Sequence, residues 1–165
     1  MDVRTGTGID FHKLITDPAR PLLLGAVELP GELALEGHSD ADVLLHALAD
    51  GLLGALGLGD IGEHFSDQDP AHKNMDSREI LAIALARMRE KDFRLSNVDV
   101  TLSGQKPRLT PHIPAILKSL AALLEIDADR IGLKATTTEK MGAQGRAEGL
   151  ARLATVLEVR ARALA

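Results

Sequence analysis

Asp10 and His12 stand one residue apart in "TGTGIDFHKL" (Thr5 to Leu14), and His46 follows in "GHSDADVLLHAL" (Gly37 to Leu48). On an extended segment, residues two apart point to the same face, so Asp10 and His12 have a spacing that a divalent metal can use. With His46 as third ligand they would give two imidazoles, one carboxylate and an open fourth position, which suits zinc holding a substrate oxygen. Asp42, His46 and Asp50 fall at i, i+4 and i+8 and share one helix face, so Asp42 or Asp50 is expected to hold the distal nitrogen of His46. Spacing alone leaves a second reading open, in which His12 and His46 are unrelated polar residues at a strand end and on a solvated helix face.

"GHSD" (Gly37 to Asp40) runs from a small turn into a helix start. Free backbone N–H groups and the positive end of the helix dipole make such a turn an anion site, to which His38 and Ser39 would add side-chain donors. Equally, Ser39 serves only as the helix cap. Asp60, Asp67 and Asp69 in "GDIGEHFSDQDP" (Gly59 to Pro70) suit hydroxyls or a hard cation, although acidic loops are usually just solvated. The glycine and distal glutamate of an EF-hand are missing. "KATTTEK" (Lys134 to Lys140) gathers hydroxyls, ammonium groups and Glu139, a combination that suits phosphate and Mg²⁺ and is also ordinary strand sequence. "GTGIDF" is no nucleotide loop: it lacks the third Rossmann glycine, and no Walker lysine follows.

The elements that must position these groups are legible to different degrees. Residues 1–11 suit a strand only loosely, and "RPLLLGAVELP" (Arg20 to Pro30) reads as a better strand-like run closed by proline and glycine. Ser39 as N-cap with Asp42 three residues on predicts a helix carrying Val43, Leu44, Ala47, Leu48, Leu52 and Leu56, ended by Gly57 and Gly59. A second helix is predicted over about Asp76 to Lys91, with Ile80, Leu81, Ala84, Leu85 and Met88 inward and Ile83 at the margin. Alternation predicts a one-face-buried strand over Leu95 to Gly104, and Pro111 and Pro114 open a third helix reaching about Leu124. Ile131 to Lys140 reads as a strand running into a polar loop. In "GLARLATVLEVRARA" (Gly149 to Ala163) propensity favours helix while the alternation allows a strand. Two or three helices on one face of a small sheet make an α+β sandwich.

Composition bounds the rest. A chain of 165 residues with no repeat or linker is expected to form one domain over residues 1–165. Without cysteine, disulfides and thiol chemistry are excluded and any metal site must use histidine and carboxylates. A net charge of −5 with three Phe and no Tyr or Trp argues against nucleic acid. With no signal-like start and no apolar stretch of about 18 residues, no membrane partner and a cytoplasmic location are expected.

Taken together, "GTGIDFHKL", "LEGHSDADVLLHAL", "LGLGDIGEHF", "DSREIL", "NVDVTLSGQKPRLTPHIP" and "KATTTEKMGAQGRAEGLA" resemble, in order and over nearly the whole chain, the 2-C-methyl-D-erythritol 2,4-cyclodiphosphate synthase family of the non-mevalonate isoprenoid pathway. The resemblance implies a small mixed sheet with helices on one face, in a homotrimer whose sheets face the three-fold axis and whose active sites lie between subunits. It implies an intramolecular phosphoryl transfer that closes the cyclic diphosphate of a cytidine diphosphate substrate and releases CMP. By the same resemblance Asp10, His12 and His46 would bind zinc and Glu139 would bind Mg²⁺ or Mn²⁺. His38 and Thr137 would stabilise the transition state, Ser39 would assist binding, and Asp60 and Gly62 would hold the erythritol hydroxyls. The segment Gly104 to Thr110, with Lys106, Pro107, Arg108 and Leu109 singled out in it, matches the cytidine pocket together with Thr136 and Thr137. Ile61, Phe65, Asp67, Asp69, Ala135 and Thr138 complete the substrate-binding set, and Arg146 matches a phosphate or trimer-axis residue. The resemblance also favours a strand for the C-terminal segment, and it suggests that the glycines of the opening segment let the backbone come close to the ligand. Two departures stand out: "FSDQDP" lacks the family's proline after Phe, and Ala143 stands where many members carry Phe. The rival readings are a zinc-dependent phosphohydrolase and a trimeric scaffold with a structural metal.

Overall fold

The computed structural model describes residues 2–65 and 75–160. Strand β1 (Val3–Thr16) alternates strictly over its first half, with Gly6 and Gly8 buried and Val3, Thr5, Thr7, Ile9 and Phe11 exposed. It continues five residues past the loosely predicted segment. The following run is not one strand but a hairpin, β2 (Leu22–Leu24) and β3 (Val27–Leu29). Gly25 and Ala26 both take positive φ, 61° and 60°, the geometry of a two-residue turn whose twist matches the strands it joins.

Strand β4 (Leu33–Leu35) pairs with the far end of β1, and the main sheet runs β4-β1-β7-β5-β6. Strands β5 (Phe93–Ser103), β6 (Ile131–Thr136) and β7 (Gly149–Arg160) complete it; β6 is parallel to β5 and the remaining pairs are antiparallel. The C-terminal segment is therefore a strand. Its helical propensity loses to pairing on both sides, with β1 from Val3↔Val159 to Lys13↔Gly149 and with β5 from Phe93↔Arg160 to Ser103↔Ala151.

Three long helices cover one face: α1 (Val43–Ala55), α3 (Ser77–Glu90) and α4 (Ile113–Leu124), with the short α2 (Ile61–His64) between the first two and α5 (Gly142–Gly145) before β7. The second and third match their predicted spans, and Ile83 is exposed as its marginal position implied. Helix α1 starts later than predicted and with a different cap. Ala41 turns to φ 58°, so the helix begins only at Val43, and Asp42 is the N-cap, accepting from the N–H groups of Leu44 and Leu45 at 3.1 and 3.2 Å. The Ser39 hydroxyl instead accepts the N–H of Ala41 at 3.0 Å. Asp42 also takes the N–H groups of Gly25 and Ala26 at 3.0 and 2.6 Å, tying the hairpin turn to the helix start. Burial pushes its carboxyl up while the N–H groups of Ala26, Gly25 and Leu45 hold it down, and burial prevails.

All of α1 except Asp50 and Gly54 is buried. It reaches the sheet through a seam without side chains: a Cβ on Gly6 would lie 1.9 Å from the carbonyl oxygen of Gly51, and one on Gly8 would lie 2.0 Å from that of Ala47. The glycines of the opening segment thus admit a helix rather than a ligand. Beneath α1 and α3, Leu95, Val98, Val100, Leu102, Ala154 and Val156 from the sheet meet Leu44, Leu48, Leu52, Leu81, Leu85 and Met88 in one apolar cluster.

One acid is buried there at a cost. Glu158 is 0% exposed and neither carboxylate oxygen has a hydrogen-bond partner. Burial raises its carboxyl from 4.5 to about 7, against the opposing charge of its cross-strand neighbour Arg4.

Two outcomes are expected from these contacts. Gly8→Ala overpacks the seam, for which a cost of about 1–3 kcal/mol is typical, so calorimetry is expected to show Tm lowered by about 2–12 °C. For Glu158 the folded state holds its proton more tightly than the unfolded chain. Its stabilising contribution is full below about pH 4.5 and is lost as pH rises through about 7. Thermal melts of Glu158→Gln across that range should therefore show less loss of Tm with rising pH than the parent, and parallel curves would refute the assignment.

Candidate active site

The α1–β1 seam brings His46 over Asp10 and His12. Asp10 Oδ2 lies 3.0 Å from His46 Nδ1 and 3.1 Å from His12 Nε2, and the two nitrogens are 3.3 Å apart. These atoms form the one group of three or more metal-capable side chains among the described residues. A tetrahedral ion with bonds of about 2.0–2.1 Å has ligand atoms about 3.3 Å from one another, so the trio fits such an ion with little movement. Burial alone would raise the Asp10 carboxyl, but the hydrogen bonds and charges of His12 and His46 outweigh it and hold it far below the usual range. His12 is raised: burial would lower it, and the Asp10 carboxylate and the Glu36 carbonyl prevail.

The outer ring nitrogens are held too. His12 Nδ1 donates to the carbonyl oxygen of Glu36 at 2.8 Å, and a carbonyl can only accept, so when the ring is neutral its hydrogen sits on Nδ1 and Nε2 faces inward with its lone pair. The distal nitrogen of His46 is not held by Asp42 or Asp50, as expected from the helix face. Asp42 is spent on the hairpin and helix start, and Asp50 accepts the N–H of Ile61 at 2.8 Å, tethering α2. Ser77 and Ser39 take that place, with hydroxyl oxygens 2.8 and 3.3 Å from His46 Nε2. Helical periodicity read "DSREIL" only as a helix start, so nothing in the sequence pointed to Ser77 as a partner of His46. A second group missed in the sequence is Arg152, 1% exposed and paired in register with Asp10, whose Nη1 donates to the carbonyls of Ser103 and Ala151. Burial draws its guanidinium down to about 10.

Asp10, His12 and His46 open into a cavity of about 360 Å³, bounded by His38 and Ser39 on one side and by Ile61, Gly62 and Phe65 on the other. Arg20 donates to the Ser39 carbonyl and so anchors the "GHSD" turn to the segment before the hairpin. Met75 and Ile80 supply apolar walls; the helical spacing turned Ile80 inward without assigning it to the site, and Met75 was not singled out. Asp60 does not itself line this cavity but caps the adjoining α2, accepting from Glu63 N–H at 3.0 Å, and Asp67 and Asp69 lie outside the described residues.

The remaining expected residues gather elsewhere. Gly104, Pro107, Arg108, Leu109, Thr110, Ala135, Thr136 and Thr137 line a second cavity of about 320 Å³, together with Gln105 of the same segment. Lys106 belongs to the same loop but does not line it. Thr137 Oγ1 donates to the Glu139 carboxylate at 3.2 Å and Thr138 Oγ1 to the carbonyl of Met141 at 2.7 Å, while Arg146 pairs with Glu148. Among the described residues, then, the cavity that the metal-capable trio opens into is not the one that Thr137 lines.

A model of the YgbB family matches residues 3–159. A 2-C-methyl-D-erythritol 2,4-cyclodiphosphate synthase from Leptospira borgpetersenii is 55% identical over 157 residues, 95% of this chain and 98% of its own. The structure superposes with TM-score 0.91 on a bifunctional IspDF from Campylobacter jejuni, 43% identical, covering 96% of this chain but 42% of that larger one. It superposes with TM-score 0.85 on IspF from Plasmodium falciparum in complex with CDP, 30% identical and 97% covered on both sides. A donor trio in a cleft, carried on this fold and on these sequence segments, places the chain in the YgbB family, alongside the 2-C-methyl-D-erythritol 2,4-cyclodiphosphate synthases.

Proposed function

We propose that the chain converts 4-diphosphocytidyl-2-C-methyl-D-erythritol 2-phosphate into 2-C-methyl-D-erythritol 2,4-cyclodiphosphate and CMP, as a metal-dependent phosphorus–oxygen lyase acting as a homotrimer. The observation that carries this reading is the inward-facing Asp10, His12 and His46 trio beside His38 and Ser39 in one cleft. Zinc suits the trio by its donor set, and Mg²⁺ or Mn²⁺ suits Glu139, since such ions take one or two protein carboxylates and complete their shells with phosphate and water. When bound, the two ions would supply charge neutralisation and orientation of phosphate oxygens.

The substrate's own 2-phosphate is the nucleophile, so the protein needs no activated side chain. Its task is to hold attacking and leaving oxygens in line and to offer donors to the charge that spreads over the phosphoryl group. His38 and Ser39 stand where they can donate to a phosphate held by the trio, and the Thr137 hydroxyl serves a phosphate beside Glu139. The pocket of Gly104 to Thr110 with Ala135 to Thr137 takes the cytidine, for which the CDP complex of the Plasmodium falciparum protein gives support. Ile61, Gly62 and Phe65, with Asp60 close by, face the erythritol.

Two features support assembly. The metal-capable trio and Thr137 line separate cavities among the described residues, and a neighbouring subunit can bring the missing half to each. The sheet face opposite the helices leaves Val3, Ile9, Phe11 and Leu153 between 41% and 63% exposed, an apolar strip for the other subunits to cover.

The assay is product analysis with the cytidylyl substrate. CMP and the cyclic diphosphate should appear in equal amounts, and chelation or His46→Ala should remove activity together with retained zinc. Inorganic phosphate or a linear product would instead favour a phosphohydrolase, and full activity in zinc-stripped His46→Ala would overturn the metal assignment. Mixing unfolded His46→Ala and Glu139→Ala chains and refolding them together should restore part of the activity, because some interfaces then pair two intact halves; no recovery would place both halves of each site on one chain.

A further inference from the structure

Ser77 is the first residue of α3, and its side chain has no access to solvent. Its backbone N–H donates to Asp40 Oδ2 at 3.1 Å and its hydroxyl makes a short contact with Asp40 Oδ1. The same hydroxyl oxygen lies 2.8 Å from His46 Nε2. We infer that Ser77 and Asp40 are positioning residues that hold His46 as the Nε2–H tautomer, leaving the Nδ1 lone pair free for the metal. The inference rests on reading Asp10, His12 and His46 as a metal site.

The direction of the chain of hydrogen bonds follows from what each group can do. An ionised carboxylate only accepts, so Asp40 takes the single hydroxyl hydrogen of Ser77. The oxygen then presents a lone pair to His46, and Nε2 must carry the hydrogen that meets it. Among the described residues Ser39 Oγ, 3.3 Å from Nε2, hydrogen-bonds no carboxylate that would commit its hydrogen, so it follows the ring rather than setting it.

The need for this device lies on the other side of the ring. Nδ1 of His46 is 3.0 Å from the Asp10 carboxylate. Left to itself, that carboxylate would draw the ring's hydrogen onto Nδ1, and the tautomer so formed turns an N–H toward the position of the ion. His12 meets the same difficulty through the Glu36 carbonyl, a fixed acceptor on its outer nitrogen. His46 has a hydroxyl there instead, and a hydroxyl directs a ring only if its own hydrogen is committed elsewhere. Asp40 commits it. Asp40 is itself held, with Oδ1 also accepting the N–H of Asp42 at 3.2 Å and its own N–H bonded to the carbonyl of Met75 at 3.2 Å. The relay therefore joins the "GHSD" turn, the start of α3 and the N-terminal part of α1.

The test uses the full-length chain, with two readouts. Nitrogen-15 NMR of the metal-free protein, at a pH where the ring is neutral by its own shifts, reports which nitrogen carries the hydrogen. Zinc competition against a chromophoric chelator reports affinity. The parent should show His46 as Nε2–H. In Ser77→Ala the hydrogen should move wholly or partly to Nδ1 and zinc affinity should fall by about 10–100-fold; Ser77→Thr, which keeps the hydroxyl, should recover both. A folded Ser77→Ala protein unchanged in either readout, or a parent ring found as Nδ1–H, overturns the inference. If Ser77→Ala does not fold, Asp40→Asn decides by the same two measurements, since an amide cannot accept all three hydrogen bonds the carboxylate now takes. Should the parent bind no zinc at all, it is the metal reading that fails, and the tautomer measurement still settles the relay.

Discussion

Contact between two backbones carries the rest of this molecule. Where β1 crosses α1, the strand offers glycine at positions 6 and 8 and the helix offers its own main chain, down to distances at which a single added carbon would meet a carbonyl oxygen at about the length of a hydrogen bond to hydrogen. Glycine inside a strand is ordinarily a weakness, because it gives up entropy and packs nothing. Here the loss is offset by proximity: a helix lying this low on a sheet puts a side chain from its second turn against side chains from the strand. With a larger residue at either position, α1 would ride higher and His46 would lift away from Asp10 and His12.

Buried or half-buried carboxylates do the remaining fastening. Asp42 gathers four backbone N–H groups from a turn and a helix start, Asp50 reaches across to α2, and Asp40 binds the beginning of α3. Each satisfies donors that loops and helix starts leave without partners. A chain with net charge −5 thus commits several of its acids to main chain around the cleft. Fixed in this way, they hold the "GHSD" turn and α2 as walls of one cavity.

Periodicity made the long helices, β5 and the general α+β arrangement readable, because each buries one face against a core and the spacing of its apolar residues records that. It failed where tertiary pairing decides. Gly149 to Ala163 has helical composition, and only the pairing of β7 with strands from both ends of the chain makes it extended. Gly25 and Ala26 gave no strong turn signal, since the turn depends on Asp42, a residue of another element. At the site, spacing and chemistry offered the grouping of Asp10, His12 and His46 as one of two readings, and the resemblance to a known family chose it. Their supports could not be read in this way, because the helix face that suggested Asp42 and Asp50 for the distal nitrogen of His46 says nothing of α3, from which Ser77 arrives. The role of the glycines in the opening segment was misread for a similar reason: a strand's sequence shows that something approaches closely, but not what.

Strand β1 serves two masters by the alternation of its side chains. Gly6, Gly8, Asp10 and His12 face the long helices, while Val3, Thr5, Thr7, Ile9 and Phe11 face away and are exposed. Substitutions can adjust one set and spare the other. Insertion or loss of one residue cannot, since it moves every side chain beyond it to the opposite face. The metal-capable pair would then turn outward while Ile9 and Phe11 turned in against α1, where the seam has room only for hydrogen. The length of this strand is therefore under a stricter constraint than any single residue in it, and variation among related sequences should accumulate there as exchanges and almost never as gaps.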